Sequence, residues 1–151
     1  MLRSLNESTD EGVHTEMIER MKQDHFWWYQ GPMILWAFAL FTQSSIPGDR
    51  IPEFEVFSHD KLIHFFIYVV FAATVNRAVA NQGRFPLPAR HHFLFTLIIV
   101  ALFAASDEFH QYFVPNRSCD FFDWLADSVG AILCIVVLWA KAKWKPPVVS
   151  A

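Results

Sequence analysis

Residues 93–114 read FLFTLIIVALFAASDEFHQYFV, and this stretch decides how the chain folds. Its uninterrupted apolar run ends at Ala105 and covers only about 20 Å of a hydrocarbon core that is roughly 30 Å thick. A helix that crosses a membrane here must therefore continue to about Val114. It carries Asp107 and Glu108 into a membrane interface, or just below it.

The composition indicates that lipid covers much of the surface. The 151 residues are 54% hydrophobic and 17% aromatic, with a positive mean hydropathy, whereas a soluble domain of this length needs more polar residues on its surface. A net charge of −3 gives no reason to expect a nucleic-acid partner. The two cysteines are about 22 Å apart if they share a helix, which excludes a disulfide between them.

The apolar runs predict one all-α domain, a bundle of four transmembrane helices. The predicted spans are residues 27–46, 60–80, 93–114 and 120–140. They form a transmembrane domain over residues 27–140, between a polar tail at 1–26 and a basic tail at 141–151. Residues 13–28 fit either a short helix along the membrane surface or a frayed tail with aromatic anchors. Residues 81–90 read as a turn-rich basic loop.

The distribution of Lys and Arg predicts the orientation in the cell membrane. Cytoplasmic segments carry an excess of these residues. Of the 12 in the chain, nine lie in the N-terminal tail, at the loop after span two and in the C-terminal tail. The other three are Arg50, Lys61 and Arg117. Both termini are therefore expected in the cytoplasm, with the loops after spans one and three outside.

Polar residues collect at the outer end of this predicted bundle. Span two opens with Asp60, Lys61 and His64, and Tyr68 shares their face by helical spacing. Ionisable groups at this depth are costly unless they are paired or face water. The simplest packing points three polar faces at one another around a small cavity that is open to the outside. The candidate ligand-binding residues are Asp60, Lys61, His64, Asp107, Glu108, Gln111, Arg117, Asp120, Asp123 and Asp127.

Structural explanations compete with function for some of these residues. Asp60 and Lys61 can form an interfacial pair, Lys61 can extend to water, and Asp120 suits a helix N-cap. Tyr68 is more typical of a packing residue. Neither a cap nor an extended side chain explains the depth of four acids, namely Asp107, Glu108, Asp123 and Asp127.

The order and spacing of these motifs resemble the VanZ-like family of bacterial integral membrane proteins. The resemblance covers about residues 33–140. Asn116 stands where this family often has Gly, and Asp127 stands where Asn is more frequent. The matching pieces are Ser44-Ser45-x-Pro47, Asp60-Lys61-x-x-His64, Asp107-Glu108-x-x-Gln111, Pro115-x-Arg117, Asp120-x-x-Asp123 and Gly130.

The resemblance implies a role in the cell envelope or in the antibiotic response. The name-giving member is associated with resistance to the glycopeptide antibiotic teicoplanin. The resemblance does not specify a reaction, a cofactor or an oligomeric state, so these stay open. Membrane lipid is the expected partner, together with a lipid-linked cell-wall precursor.

Three functions fit the predicted cluster. The first is binding of a lipid-linked envelope intermediate or a glycopeptide-type ligand, with Arg117 and Lys61 on phosphate or carboxylate and the acids on hydroxyls or amines. The second is an enzyme acting on a lipid head group, with Asp107 or Glu108 as general base, His64 as its partner and a divalent metal on Asp123 and Asp127. The third is a carrier that relays protons or cations along the acids of span four.

The first function is preferred over the other two. The sequence has no Gly-x-Ser-x-Gly nucleophile motif, no His-Glu-x-x-His zinc helix and no glycine-rich phosphate loop, so neither a catalytic residue nor a metal ligand set is assigned. It also has no inverted repeat and no pair of broken helices of the kind that transporters use.

Overall fold

A computed structural model describes residues 25–50 and 57–144, without the side chains of residues 57–60. All regular elements in these ranges are helical, which confirms the all-α prediction. The elements are α1 at residues 25–44, a 3-10 turn at Gly48–Arg50, α2 at Phe57–Asn81, α3 at Pro86–Arg90, α4 at His92–Gln111 and α5 at Phe121–Lys143. Most of the predicted surface helix at 13–28 and of both predicted tails lies outside the described residues, although residues 25–28 belong to α1 and residues 141–143 to α5.

Three helices are long and apolar enough to cross a membrane: Lys61–Asn81, His92–Gln111 and Phe121–Lys143. Between 28% and 39% of the most apolar part of each is buried inside the protein. Most of each helix surface therefore has no protein partner among residues 25–50 and 57–144, as expected where lipid is the solvent. The protein is an integral membrane protein.

The structure shows three apolar spans and not clearly the four predicted from the sequence. At about 30 Å, the 20 helical residues of α1 match the membrane in length, but Gln30, Gly31 and Pro32 interrupt its first half with polar or helix-weakening residues. It is not among the helices that are apolar enough to span. It packs on α2, since Trp36 Nε1 donates to the carbonyl of Ile67 at 3.2 Å. That α1 also crosses the membrane stays a prediction.

The polar continuation of α4 is helical, as the sequence predicts. The helix ends at Gln111, a little before the predicted Val114, and a turn follows in which the Val114 N–H donates to the Gln111 carbonyl. Residues 86–90 differ from the predicted loop and form the short helix α3. Pro86 lies in its first turn, where the missing N–H of proline costs no hydrogen bond.

The backbones of α2 and α5 touch at Gly130. A Cβ at this position would overlap the carbonyl group of Phe65. Gly130 lies three residues after Asp127, and Phe65 follows His64, so this close approach also brings His64 and Asp127 together. The core continues along α2 through Tyr68, which is 1% exposed, and is completed by Phe71, Ala72, Val75, Val100 and Ala104.

Exposed aromatic side chains, called here the aromatic belt, lie at the end of the bundle where α4 ends and α5 begins. Its five exposed members are Phe109, Tyr112, Phe113, Phe121 and Phe122. Exposed Trp27 and Trp28 lie near the opposite end, where the Arg77 guanidinium carbon is 5.0 Å from the centre of the Trp28 ring. Aromatic rings are enriched at both membrane interfaces, so the two groups mark the ends of the membrane-embedded part.

Candidate functional site

The structure brings predicted site residues from three helices together at the aromatic belt. Six of them are less than a tenth exposed. We call them, with Lys61 and Asp120, the acid–histidine cluster. The buried members are His64 on α2, Asp107, Glu108 and Gln111 on α4, and Asp123 and Asp127 on α5.

Lys61 joins α2 to the start of α5. Its Nζ donates to Asp120 Oδ2 at 2.9 Å and also to Asp123 Oδ1. Asp120 is the N-cap of α5 as well, because its Oδ1 accepts the N–H of Phe122 at 2.8 Å. The hydrogen bond from Lys61 lowers the pKa of Asp120, and the hydrogen bond from the Phe122 N–H lowers it further by a smaller amount. At the interfacial end of the cluster, the charges of Asp120 and Asp123 are therefore offset by Lys61, and Asp120 also caps α5.

A second pair lies deeper in the bundle. His64 Nδ1 is 3.2 Å from Asp127 Oδ1, and the two residues are 8% and 1% exposed. The other carboxylate oxygen of Asp127, Oδ2, is buried and has no hydrogen-bond partner among the described residues. An unmatched buried acceptor of this kind is expensive, so the site has spare capacity to bind a donor or a cation.

The two acids of α4 each use one oxygen within the protein. Glu108 Oε2 accepts the backbone N–H of Asp120 at 2.8 Å, which fastens the end of α4 to the start of α5. Asp107 Oδ2 accepts from Gln111 Nε2 at 3.3 Å. Their other oxygens, Asp107 Oδ1 and Glu108 Oε1, are buried without a hydrogen-bond partner in the described part of the chain.

Arg117 contacts a different part of the molecule. Its Nε and a terminal nitrogen donate to the carbonyls of Ile46 and Gln43, at 3.2 and 3.4 Å. These carbonyls lie at and just beyond the end of α1, and that of Gln43 also accepts the backbone N–H of Ile46 at 3.2 Å. Asn116 beside it has a φ of 57°, in the left-handed region that Asn and Gly tolerate best. Arg117 thus connects the α4–α5 loop to α1.

Asp60 and the acids of α5 are the remaining residues of the predicted site. The side chain of Asp60 lies outside the described residues. Of the acids of α5 that the carrier hypothesis considers, Asp120 and Asp123 both accept from Lys61 Nζ. Asp127 instead pairs with His64.

Tyr68, on the same face of α2 as His64, is a buried polar residue that the sequence argument set aside as packing. It is 1% exposed, and its hydroxyl has no hydrogen-bond partner in the described ranges. The signal that could have identified it was its position one turn after His64 on the same face of α2.

The ligand geometry of the cluster suits a metal ion at one point. His64, Glu108 and Asp127 each offer one ligand atom, and these atoms lie within 4.8 Å of one another. One imidazole and two carboxylates form a mixed nitrogen and oxygen set. The sequence analysis placed a metal on Asp123 and Asp127. In the structure Asp123 accepts from Lys61, and His64 is the residue that lies beside Asp127.

A helical membrane protein with a buried acid–histidine cluster at one interface is the class that fold and site define. A model of the VanZ/LLP1 family matches residues 6–142 of the 151. The chain belongs to this family, which confirms the resemblance seen in its motifs. No curated protein and no solved structure matches it significantly.

Proposed function

We propose that this VanZ/LLP1-family protein binds a lipid-linked cell-envelope intermediate, or a glycopeptide-type ligand, at the acid–histidine cluster. The head group enters the cluster and its hydroxyl or amine groups donate to the buried carboxylates. The protein then acts in the cell envelope, where such a ligand is made or encountered.

One observation carries this proposal: the cluster holds more buried acceptor atoms than the described residues supply donors for. Asp107 Oδ1, Glu108 Oε1 and Asp127 Oδ2 have no hydrogen-bond partner there. Each unmatched acceptor costs about 1–3 kcal/mol, so a ligand that donates to them recovers that free energy. Ionisable residues inside a membrane protein are functional by default for the same reason.

The charges favour a ligand rich in donors over one held mainly by its phosphate. Lys61 is already engaged by Asp120 and Asp123, and Arg117 by backbone carbonyls. An anionic group would have to displace these partners, whereas sugar hydroxyls and amines meet oxygens that have none. Sugars and amino groups are present on lipid-linked wall precursors and on glycopeptides alike.

Replacing Asp107 by asparagine should remove the bound lipid and leave the fold intact. The amide keeps the carboxylate's shape but loses its charge, and loss of one charged hydrogen bond corresponds to roughly 10- to 100-fold in affinity. Protein is extracted from cells in polymer-bounded native discs, and its lipids are measured by mass spectrometry. A polyisoprenyl-linked or sugar-bearing lipid should be enriched with wild type and depleted in Asp107→Asn.

Asp49→Asn is the matched control, since this carboxylate is exposed in the 3-10 turn. It should retain the lipid. The thermal midpoint of each variant is measured in the same discs, so that loss of ligand is separated from loss of structure. Identical bulk lipid in all three proteins, with none enriched, would show that the cluster binds no lipid head group.

We further propose that the cluster faces the outside of the cell, with both termini in the cytoplasm. The natural Cys119 can be labelled to test this orientation, because it is exposed in the α4–α5 loop whereas Cys134 is buried. A membrane-impermeant maleimide should label intact cells that express the protein. The label should disappear in Cys119→Ser. Labelling only after the cells are broken would place the cluster on the cytoplasmic side.

Catalysis on the same head group is the second candidate function. It is favoured by the His64–Asp127 pair, 3.2 Å apart, beside the spare oxygen of Glu108. An imidazole oriented by one carboxylate and adjacent to another is a common arrangement for general acid–base chemistry. Conversion of the copurified lipid by wild type, and not by His64→Gln, would distinguish turnover from binding.

A further inference from the structure

We infer that His64, Glu108 and Asp127 form a binding site for a divalent transition-metal ion such as Zn²⁺. The site does not require the proposed head-group binding, because the protein supplies all three ligands. It consists of one residue from each of the three apolar helices: α2, α4 and α5. An ion here would hold these helices together at the membrane interface.

The distances suit direct coordination. The three ligand atoms lie within 4.8 Å of one another. Ligand atoms about 2.1 Å from a shared ion are roughly 3 to 4 Å from each other, so only small side-chain rotations are needed. The 3.2 Å between His64 Nδ1 and Asp127 Oδ1 is a hydrogen-bond distance, and it also fits two adjacent ligands of one ion. Exchanging the shared proton for the metal thus requires little movement.

Unmatched buried atoms point to the same ligand independently of the spacing. Glu108 Oε1 and Asp127 Oδ2 have no hydrogen-bond partner in the described part of the chain, and the two residues are 4% and 1% exposed. The hydroxyl of Tyr68, on the same face of α2 as His64, is also buried and unmatched there. A divalent cation bound by Glu108 and Asp127 would give their unmatched carboxylate oxygens a partner.

The charge balance favours an ion with two positive charges. Asp107, Glu108 and Asp127 are all buried, and the one lysine of the cluster is shared between Asp120 and Asp123. Buried carboxylates that lack a counter-charge are strongly destabilising. A divalent cation offsets two of these charges without any movement of Lys61.

Neighbouring contacts help to position all three ligands, and the one to Glu108 is a hydrogen bond of the outer-shell kind seen in established metal sites. Glu108 Oε2 accepts the Asp120 N–H at 2.8 Å, which leaves Oε1 for the ion. Contact of the Gly130 and Phe65 backbones holds α5 against α2 beside Asp127 and His64. The imidazole ligand favours Zn²⁺ over Mg²⁺, Ca²⁺ and Mn²⁺, which prefer oxygen ligands. Three protein ligands leave at least one position for water or another ligand.

The test measures Zn²⁺ binding to the full-length protein in lipid nanodiscs. Protein stripped with a chelator is titrated with Zn²⁺ in competition with a chromophoric chelator, and metal content after dialysis is measured by mass spectrometry. Wild type should bind one tight equivalent per chain. His64→Gln, Glu108→Gln and Asp127→Asn should each weaken it by more than the roughly 10- to 100-fold that loss of an outer-shell partner costs.

His91→Gln is the matched control, because His91 is an exposed histidine at the start of α4, far along the helix from Glu108. It should keep the tight equivalent. Zn²⁺ should also raise the thermal midpoint of wild type and of His91→Gln, but not that of His64→Gln. Equal Zn²⁺ affinity in wild type and the three ligand variants would overturn the inference.

A second measurement covers the case in which a ligand variant does not fold. X-ray absorption at the zinc edge of loaded wild type should show a four- or five-coordinate ion with nitrogen and oxygen ligands and a single imidazole. A spectrum with several imidazoles or with sulfur would assign the ion to other residues and reject the site. A failed Asp107→Asn lipid experiment leaves this result unaffected, since Asp107 is not one of the three ligands.

Discussion

Gly130→Ala should lower the free energy of unfolding by about 3 kcal/mol or more, at the upper end of the cost of overpacking a core. The added methyl group would overlap the carbonyl of Phe65. A backbone carbonyl in a helix cannot rotate away as a flexible side chain can. The strain is relieved only if α2 and α5 move apart, and that movement also separates His64 from Asp127.

Gly83→Ala is the control, since a Cβ at Gly83 meets nothing within 4 Å. Unfolding of both variants is followed in the same lipid–detergent mixture by helix content and by proteolysis. Gly83→Ala should change the free energy of unfolding by less than about 1 kcal/mol. If the two substitutions have equal effects, the backbone contact of α2 with α5 is not essential to the fold.

Lys61→Met should have the next largest effect, a loss of about 1–3 kcal/mol. Methionine keeps an unbranched apolar chain and removes the charge that lies between Asp120 and Asp123. Breaking a fully buried pair costs about 3–5 kcal/mol. The side chains of Lys61 and Asp120 are 23% and 28% exposed, so solvent screening reduces the loss. Lys141→Met, at an exposed position in the last turn of α5, is the control.

The Lys61 effect should depend on pH in a defined direction. Lys61 lowers the pKa of Asp120 below its usual value near 3.9. The stabilisation by this pair is therefore complete above about pH 4 and is lost as the pH falls further and Asp120 takes up a proton. Wild type and Lys61→Met should converge in stability in acid. A difference that stays constant from pH 7 down to the lowest pH at which wild type remains folded would assign the effect to packing of the lysine chain.

The location of the acids of α4 was predictable because a helix that crosses the membrane must match the roughly constant thickness of the hydrocarbon core. A short apolar run required α4 to continue through Asp107 and Glu108, and that continuation is helical. Helical spacing then put His64 on one face of α2, and Asp123 and Asp127 on one face of α5. The N-cap role of Asp120 was likewise readable from its place after a turn.

The partners within the cluster could not be predicted in the same way. They depend on how far each helix is rotated and how closely it approaches its neighbours. Spacing alone does not reveal that Lys61 selects Asp120 and Asp123 and leaves Asp127 to His64. Arg117 was expected near a ligand, but carbonyls at the end of α1 are its hydrogen-bond partners.

The first helix shows a different limit of sequence reasoning. Its apolar residues and its length suggested a span equivalent to the others. Hydropathy separates it from the three apolar helices, although Leu40 and Ser44 are 5% and 0% exposed within the bundle. Burial against α2 and exposure to lipid both favour apolar residues, and a single sequence does not distinguish these two causes.

The thinness of the bundle has a consequence for how a ligand arrives. No more than 39% of the most apolar part of any of the three apolar helices is covered by protein. Much of the surface of the helices that carry the cluster therefore faces the bilayer directly. A molecule anchored by a hydrocarbon tail can reach it sideways, keeping the tail in lipid throughout. The lipid-linked ligand proposed above would therefore need no passage through the bundle to bind.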